Sequence, residues 1–179
     1  MSSPVASAAS FNPGRKIVKP VLLATDGSPT ADKATDTAIE FARLLDTDLV
    51  IVTAWNIPSG AVGIGAPVVM NGELAKLSEE EARRIGTEAA ARAEEAGVET
   101  RSIVLRGSPV DEICIAAEKF GPRFLVIGSH GWGVVKRAFF GSVSTGVIHH
   151  ATCPVLVVRG NAIDGTPHVV GAHERVVAK

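Results

Sequence analysis

The sequence predicts an α/β fold: a single doubly wound sheet of five parallel strands in the order 3-2-1-4-5, with helices on both faces. Short apolar runs alternate strictly with segments of helical spacing, which is the pattern of βα units. The runs are continuously apolar, as expected for strands that are covered on both faces. Right-handed crossovers leave few strand orders, and in this order strands one and four are neighbours.

Five apolar runs are the predicted strands. They comprise residues 21–24, 49–54, 102–105, 124–127 and 155–158. Between them, Ser28-Pro29 and Ser108-Pro109 each give an N-cap followed by proline in the first turn, which predicts two helix starts. The capping-box sequence 78–81 starts a third helix, with Gly97 as its end. The last predicted helix is 142–150, and the Gly- and Pro-rich residues 55–77 are expected to form a long loop.

Length and composition indicate one globular domain of ordinary type. We expect a disordered arm at 1–15, the domain at 16–159 and a flexible tail at 160–179 of the 179 residues. Apolar residues make up 46%, charged residues 21%, and the net charge is −1, so charge favours neither nucleic acid nor a membrane surface as partner. No apolar run has the length of a membrane span. Cys114 and Cys153 lack metal-binding spacing and are expected to be buried, reduced thiols of a cytoplasmic protein.

A glycine-rich loop follows the fourth predicted strand. Gly128 and Gly131 lie at its start, and Gly141 follows nine residues later, directly before a predicted helix. Glycines let backbone N–H groups approach a phosphate, and a helix N-terminus favours negative charge. The loop therefore predicts an anion cradle, with a nucleotide or another phosphate compound as its ligand.

Asp26 follows the first predicted strand, in the sequence Thr25-Asp26-Gly27-Ser28. Because strands one and four are expected to be neighbours, this carboxylate should face the loop at Gly128, at the switch point where open α/β sheets bind ligands. The alternative is that Asp26 only shapes an Asp-Gly turn. Two separate sequence signals converging on one edge favour a ligand site.

The chain resembles the universal stress protein family over roughly residues 16–159. The resemblance rests on Thr25-Asp26-Gly27-Ser28, on residues 125–131, on Phe139-Phe140-Gly141-Ser142-Val143-Ser144, and on residues 153–158. The nucleotide-binding branch of that family has glycine, two residues, glycine, nine residues, glycine and then Ser or Thr. This spacing is intact from Gly128 to Ser142 and favours the ATP-binding branch.

The resemblance implies a role for each matching residue. Asp26 would lie at the ribose, Ala54 would meet adenine through its backbone, and Mg²⁺ would be held by the phosphates, with Asp26 as the one clear carboxylate nearby. The expected nucleotide-binding residues are Ala24, Thr25, Asp26, Ala54, Ile127, Gly128, Gly131, Gly141, Ser142, Val143 and Ser144. The last strand, Val155–Val158, resembles the edge through which family members form homodimers.

The function expected from these features is an adenine-nucleotide-binding stress or regulatory protein that acts through ATP occupancy. One alternative is a slow ATP hydrolase, for which no catalytic residue is marked, so a binding protein is favoured over an enzyme. Another is a scaffold that binds a different nucleotide, such as a cyclic monophosphate. The GxxxxGK[ST] motif of P-loop NTPases is absent.

Several other residues near the motif have a structural interpretation. His130 is expected to be a structural turn histidine, and Lys136 and Arg137 are more typical of solvated loop charges than of phosphate ligands. Trp55 is expected to pack in the core. For Trp132 the sequence leaves two alternatives, an exposed lid residue or a dimer contact.

Overall fold

The computed structural model describes residues 19–56, 68–132 and 140–160. Strands and helices alternate along this part of the chain. They are β1 (Val21–Ala24), α1 (Pro29–Leu44), β2 (Leu49–Trp55), α2 (Val68–Glu95), β3 (Thr100–Arg106), α3 (Pro109–Phe120), β4 (Phe124–Gly128), α4 (Ser142–His150) and β5 (Val155–Val158). The predicted arm at 1–15 and nearly all of the tail at 160–179 lie outside the described residues.

The five strands form one parallel sheet in the order β3-β2-β1-β4-β5, which confirms the predicted topology. β1 is central, and its last residue, Ala24, pairs with Val52 of β2 and Ile127 of β4. Consequently the chain leaves β1 and β4 side by side, and the two following loops start from neighbouring positions at the carboxyl edge.

A separate apolar core covers each face of the sheet. Successive strand residues point to opposite faces, so Leu23 packs under α1 and α2 whereas Leu22 packs under α3 and α4. Both leucines are completely buried. This double burial explains why the strands are continuously apolar in sequence, and it confirms helices on both faces.

The start of α2 differs from the expectation. The helix begins at Val68 rather than at Ser78, so most of the segment predicted as a loop over 55–77 is either helix or lies outside the described residues. Residues 73–77 are Glu, Leu, Ala, Lys and Leu, all strong helix formers, and Leu77 is 62% exposed. Intrinsic propensity therefore favours helix over residues 73–77, and Ser78, which could cap a helix, lies inside α2 instead. No described helix is both long and apolar enough to cross a membrane.

The predicted starts of α1 and α3 are confirmed with one difference in detail. Ser28 is the N-cap of α1 and accepts a hydrogen bond from the N–H of Ala31 at 3.4 Å, with Pro29 in the first turn. Ser108 holds the same position before α3, but its side chain makes no capping bond. Gly121 ends α3 at φ +50°, a left-handed conformation that favours glycine.

The two cysteines are free but only half-buried, in contrast to the full burial expected from the sequence. Burial raises the pKa of the Cys114 thiol, and the nearby Asp111 carboxylate raises it further. Burial likewise raises the pKa of the Cys153 thiol. Cys114 lies in the middle of α3 and Cys153 in the segment before β5.

Candidate functional site

A cleft of about 260 Å³ opens at the carboxyl edge of the sheet, where the chain leaves β1 and β4. Its volume is close to that of the smaller ligand pockets of proteins. Every residue that the sequence singled out as a binding residue lines this cleft. They are Ala24, Thr25, Asp26, Ala54, Ile127, Gly128, Gly131, Gly141, Ser142, Val143 and Ser144. The topology thus brings together four segments that are far apart in sequence.

Part of the cleft lining is apolar. Val52 and Ala54 of β2 belong to the sheet face that α3 and α4 cover, and Pro109 and Ile113 of α3 contribute further apolar lining. Small and apolar side chains suit a flat apolar group. Val52, Pro109 and Ile113 were not among the residues predicted from the sequence. Val52 could have been found because it shares a strand face with Ala54, two residues away.

Asp26 lines the cleft and makes three contacts with the loops around it. Its Oδ1 accepts a hydrogen bond from the N–H of Ser28 at 3.0 Å, an Asx turn. Its backbone carbonyl accepts a hydrogen bond from Nε1 of Trp132 at 2.9 Å. Its Oδ2 lies against the α-carbon of Gly131, where a Cβ would overlap it. The Asp-Gly turn and the cleft-facing carboxylate, alternatives in the sequence, therefore coexist.

The start of the β4–α4 loop is bound to the N-terminus of α1. The hydroxyl of Thr30 donates to the carbonyl of His130, and the hydroxyl of Ser28 lies 3.3 Å from the same oxygen. A Cβ at Gly128 would come within 2.9 Å of the carbonyl carbon of Thr30. Glycine at 128 therefore permits the close approach of the two loops.

The N-terminus of α4 also lines the cleft. Gly141 is its N-cap and provides no side chain to accept from the first N–H groups of the helix, which have no intrahelical partner. These N–H groups, beginning with those of Ser142 and Val143, carry the positive end of the helix dipole. The arrangement favours an anion, as the sequence predicted.

The two serines of this turn differ in what their hydroxyls can do. Ser142 is exposed, and its side chain is available to a ligand. Ser144 is buried. Its hydroxyl is the donor to two carbonyls, that of Ser129 at 2.9 Å and that of Gly141 at 3.0 Å. Ser144 thus closes the loop onto the helix, and its hydroxyl proton is directed away from a bound anion.

His130 lines the cleft, and its Nδ1 lies 3.0 Å from the hydroxyl of Ser129. With its carbonyl bound to α1, it has the structural contacts expected of a turn histidine. The guanidinium of Arg159 lies 5.3 Å from the ring centre of Phe140, which directly precedes the α4 N-cap. Lys136 and Arg137 lie outside the described residues. Within the described part of the chain, no group of three or more His, Cys, Asp or Glu side chains is arranged to hold a metal ion.

Comparisons with known proteins agree with this architecture. The model of the universal stress protein family matches residues 18–159. Universal stress protein MJ0531 of Methanocaldococcus jannaschii is 32% identical over 147 residues, which are 82% of this chain and 85% of the relative.

Two solved structures are similar in fold. Protein MJ0577 of the same organism has 28% identity and a TM-score of 0.71, covering 80% of this chain and 96% of its own. A universal stress protein solved in complex with cAMP has 26% identity and a TM-score of 0.56, covering 78% and 95%. Because the family model spans all the described strands and helices, and because a relative with over 30% identity spans most of both chains, this chain belongs to the universal stress protein family.

Proposed function

We propose that this protein binds an adenine nucleotide, ATP in the first instance, in the cleft between β1 and β4. The observation that carries the proposal is the set of environments that line the cleft across the neighbouring strands β2, β1 and β4: small apolar side chains at the end of β2, the Asp26 carboxylate after β1, and the N-terminus of α4 after β4. A nucleotide presents a flat base, ribose hydroxyls and anionic phosphates in the same order. The relative solved with cAMP supports an adenine nucleotide as the ligand class.

Each part of the ligand has a matching part of the cleft. The base would lie between Val52 and Ala54 on one side and Ile113 on the other. The ribose hydroxyls would donate to Asp26, and hydrogen bonds to a charged group are among the stronger ones. The phosphates would accept from the N–H groups of Ser142 and Val143, with the exposed Ser142 hydroxyl as a further donor.

Magnesium fits this proposal as a partner of the phosphates. Asp26 is the one carboxylate among the described residues that line the cleft, and its Oδ1 is already engaged with the N–H of Ser28. Mg²⁺ prefers oxygen ligands and keeps several waters, so phosphate oxygens and waters would supply most of its ligands. The ion would neutralise part of the phosphate charge.

The protein would act by occupancy, as a cytoplasmic stress or regulatory protein. A nucleotide that binds the folded state stabilises it by mass action, and it would order the two loops that meet at the cleft. β5 is the outermost strand beside β4, and its residues are only half-buried. An unpaired strand edge of this kind supports a homodimer through Val155–Val158.

A cyclic monophosphate is the second candidate ligand, since the solved relative was complexed with cAMP. It has one phosphate and a ribose whose 3′ oxygen is blocked. A preference for this ligand would make the affinity insensitive to the β- and γ-phosphates, so a comparison of ATP, AMP and cAMP distinguishes the two candidates.

The proposal is tested by titration calorimetry of the purified protein with ATP, AMP and cAMP in the presence of Mg²⁺, together with mass spectrometry of any nucleotide that it carries after purification. The informative variant is Ser142→Pro. Proline lacks the N–H but is well tolerated at the first position of a helix, and Gly141 before it is already extended at φ −72° and ψ 166°, as proline requires.

We expect Ser142→Pro to keep its thermal stability and to lose affinity for ATP by about tenfold or more, the loss of one hydrogen bond to a charged group. Ser142→Ala is the matched control, because it removes the hydroxyl and keeps the N–H. Absence of binding of all three nucleotides to the wild type would reject the proposal. Tighter binding of cAMP than of ATP would replace ATP by the cyclic ligand.

A further inference from the structure

Trp132 is unusual in its surroundings. It is 70% exposed, although tryptophan is highly buried on average. Few packing contacts restrain a side chain with this exposure. The hydrogen bond from its Nε1 to the backbone carbonyl of Asp26, at 2.9 Å, is therefore a principal restraint on the indole.

That hydrogen bond joins the two loops of the cleft. The two residues that it links are 106 positions apart in sequence. Asp26 lines the cleft, and Trp132 directly follows Gly131, which also lines it. The hydrogen bond is thus a contact between the β1–α1 and β4–α4 loops at the position of the candidate ribose-binding carboxylate.

The hydrogen bond restrains the peptide group that joins Asp26 to Gly27. The carboxylate is restrained by the N–H of Ser28, but the next residue, Gly27, has φ +71°, where glycine turns with little steric restriction. The N–H of the Asp26–Gly27 peptide donates to Oγ1 of Thr25 at 3.3 Å, a long hydrogen bond that restrains the peptide only weakly. The indole N–H holds the carbonyl of this peptide, and with it the direction in which the carboxylate leaves the backbone.

We infer that Trp132 is a positioning residue that sets the selectivity of the cleft for a ribose bearing both hydroxyls, by holding Asp26 against Gly131. The inference rests on the proposed nucleotide function. It differs from a packing role of the indole ring: the N–H is the essential group, and the effect is exerted through Asp26.

The test is titration calorimetry of ATP, 2′-deoxy-ATP and 3′-deoxy-ATP, in Mg²⁺, with the wild type, Trp132→Phe, Asp26→Ala and the double variant. Phenylalanine keeps an aromatic ring and removes the donor. Trp55→Phe is the matched control, because Trp55 is buried beneath Arg106 and makes no contact with Asp26 that the structure describes. Circular dichroism checks that each variant is folded.

We expect the wild type to bind ATP about tenfold more tightly than at least one deoxy analogue, the value of a hydrogen bond between a hydroxyl and a carboxylate. In Trp132→Phe this preference falls to within about threefold. Asp26→Ala removes it, and adding Trp132→Phe to Asp26→Ala changes ATP affinity by less than about twofold, as coupled residues should. Trp55→Phe keeps the wild-type preference.

Three results would overturn the inference. The first is a wild type that binds ATP without preferring it to either analogue. The second is a Trp132→Phe variant that keeps the full preference. The third is an equal loss of affinity for all three ligands that persists in the Asp26→Ala background, which would indicate ring packing. A wild type that binds none of the three ligands is a different result, because it rejects the proposed function itself.

Discussion

Replacing Gly131 with alanine isolates the contact between the two loops of the cleft. A Cβ at this position would overlap Oδ2 of Asp26, so the carboxylate must move away from the loop. Gly131 is exposed, and it is not one of the described glycines whose φ is positive. Alanine is therefore compatible with its backbone conformation, and the side chain that must yield is the one proposed to bind ribose.

The expected magnitude follows from the hydrogen bonds that the displaced carboxylate would no longer make. A hydrogen bond to a charged group contributes about 1.5–3 kcal/mol, and each 1.4 kcal/mol is tenfold in affinity. Gly131→Ala should therefore weaken ATP binding by roughly 10- to 150-fold. The free energy of unfolding without ligand should change by less than about 1 kcal/mol, because Gly-to-Ala changes at compatible sites are small in effect.

The assay is titration calorimetry with ATP and Mg²⁺, combined with urea denaturation of the ligand-free protein. Gly72→Ala is the matched control, since a Cβ there meets no atom within 4 Å and Gly72 is not part of the cleft. A Gly131→Ala variant that binds ATP within about threefold of the wild type would show that the Asp26 carboxylate does not bind the ribose. Loss of binding accompanied by loss of folding would also contradict this role, because the displaced group would then be structural.

Three further predictions concern the fold. Ser28→Ala removes the fully buried N-cap side chain of α1 and its contact with the carbonyl of His130. In urea denaturation it should lower the free energy of unfolding by about 1–2 kcal/mol with an unchanged m-value. A change below about 0.5 kcal/mol would contradict a stabilising role of Ser28 as N-cap. Arg92→Ala breaks exposed ion pairs with Asp32 and Asp36 and should cost at most about 1 kcal/mol, less in 1 M salt; a larger, salt-independent loss would argue against an exposed pair. Cys114 and Cys153 should react with a disulfide reagent at pH 7.5 more slowly than the cysteine of a model peptide, because a raised pKa leaves less thiolate at a given pH. The rate should increase as the pH rises. Cys114→Ser and Cys153→Ser separate the two rates, and a reaction as fast as the peptide's would contradict the raised pKa values.

Much of the fold is determined by local sequence patterns. Continuous apolar runs mark strands that are buried on both faces, and the handedness of crossovers leaves few strand orders, among them the predicted order with β1 beside β4 that the structure confirms. The position of Asp26 opposite the loop at Gly128 followed from that order, because parallel strands place their carboxyl ends at the same edge.

Helix starts were less accessible to the same reasoning. Ser28 and Ser78 both have capping sequences, but only Ser28 is a cap, whereas Ser78 lies inside α2. A capping signal states where a helix can begin. Whether it begins earlier depends on the propensity of the preceding residues and on the space that the rest of the chain leaves for an additional turn.

The sequence by itself determined the sheet, the glycine spacing and the segments that meet at the cleft, because periodicity and backbone permissiveness are local properties. Only the tertiary structure decided that Ile113 forms a wall of the cleft, that the Ser144 hydroxyl is directed into the loop, and that Trp132 holds Asp26. These contacts depend on rotamers and on packing between distant segments. A hydrogen bond across 106 residues leaves no periodic trace in the chain, since it requires one donor and one acceptor to meet in space.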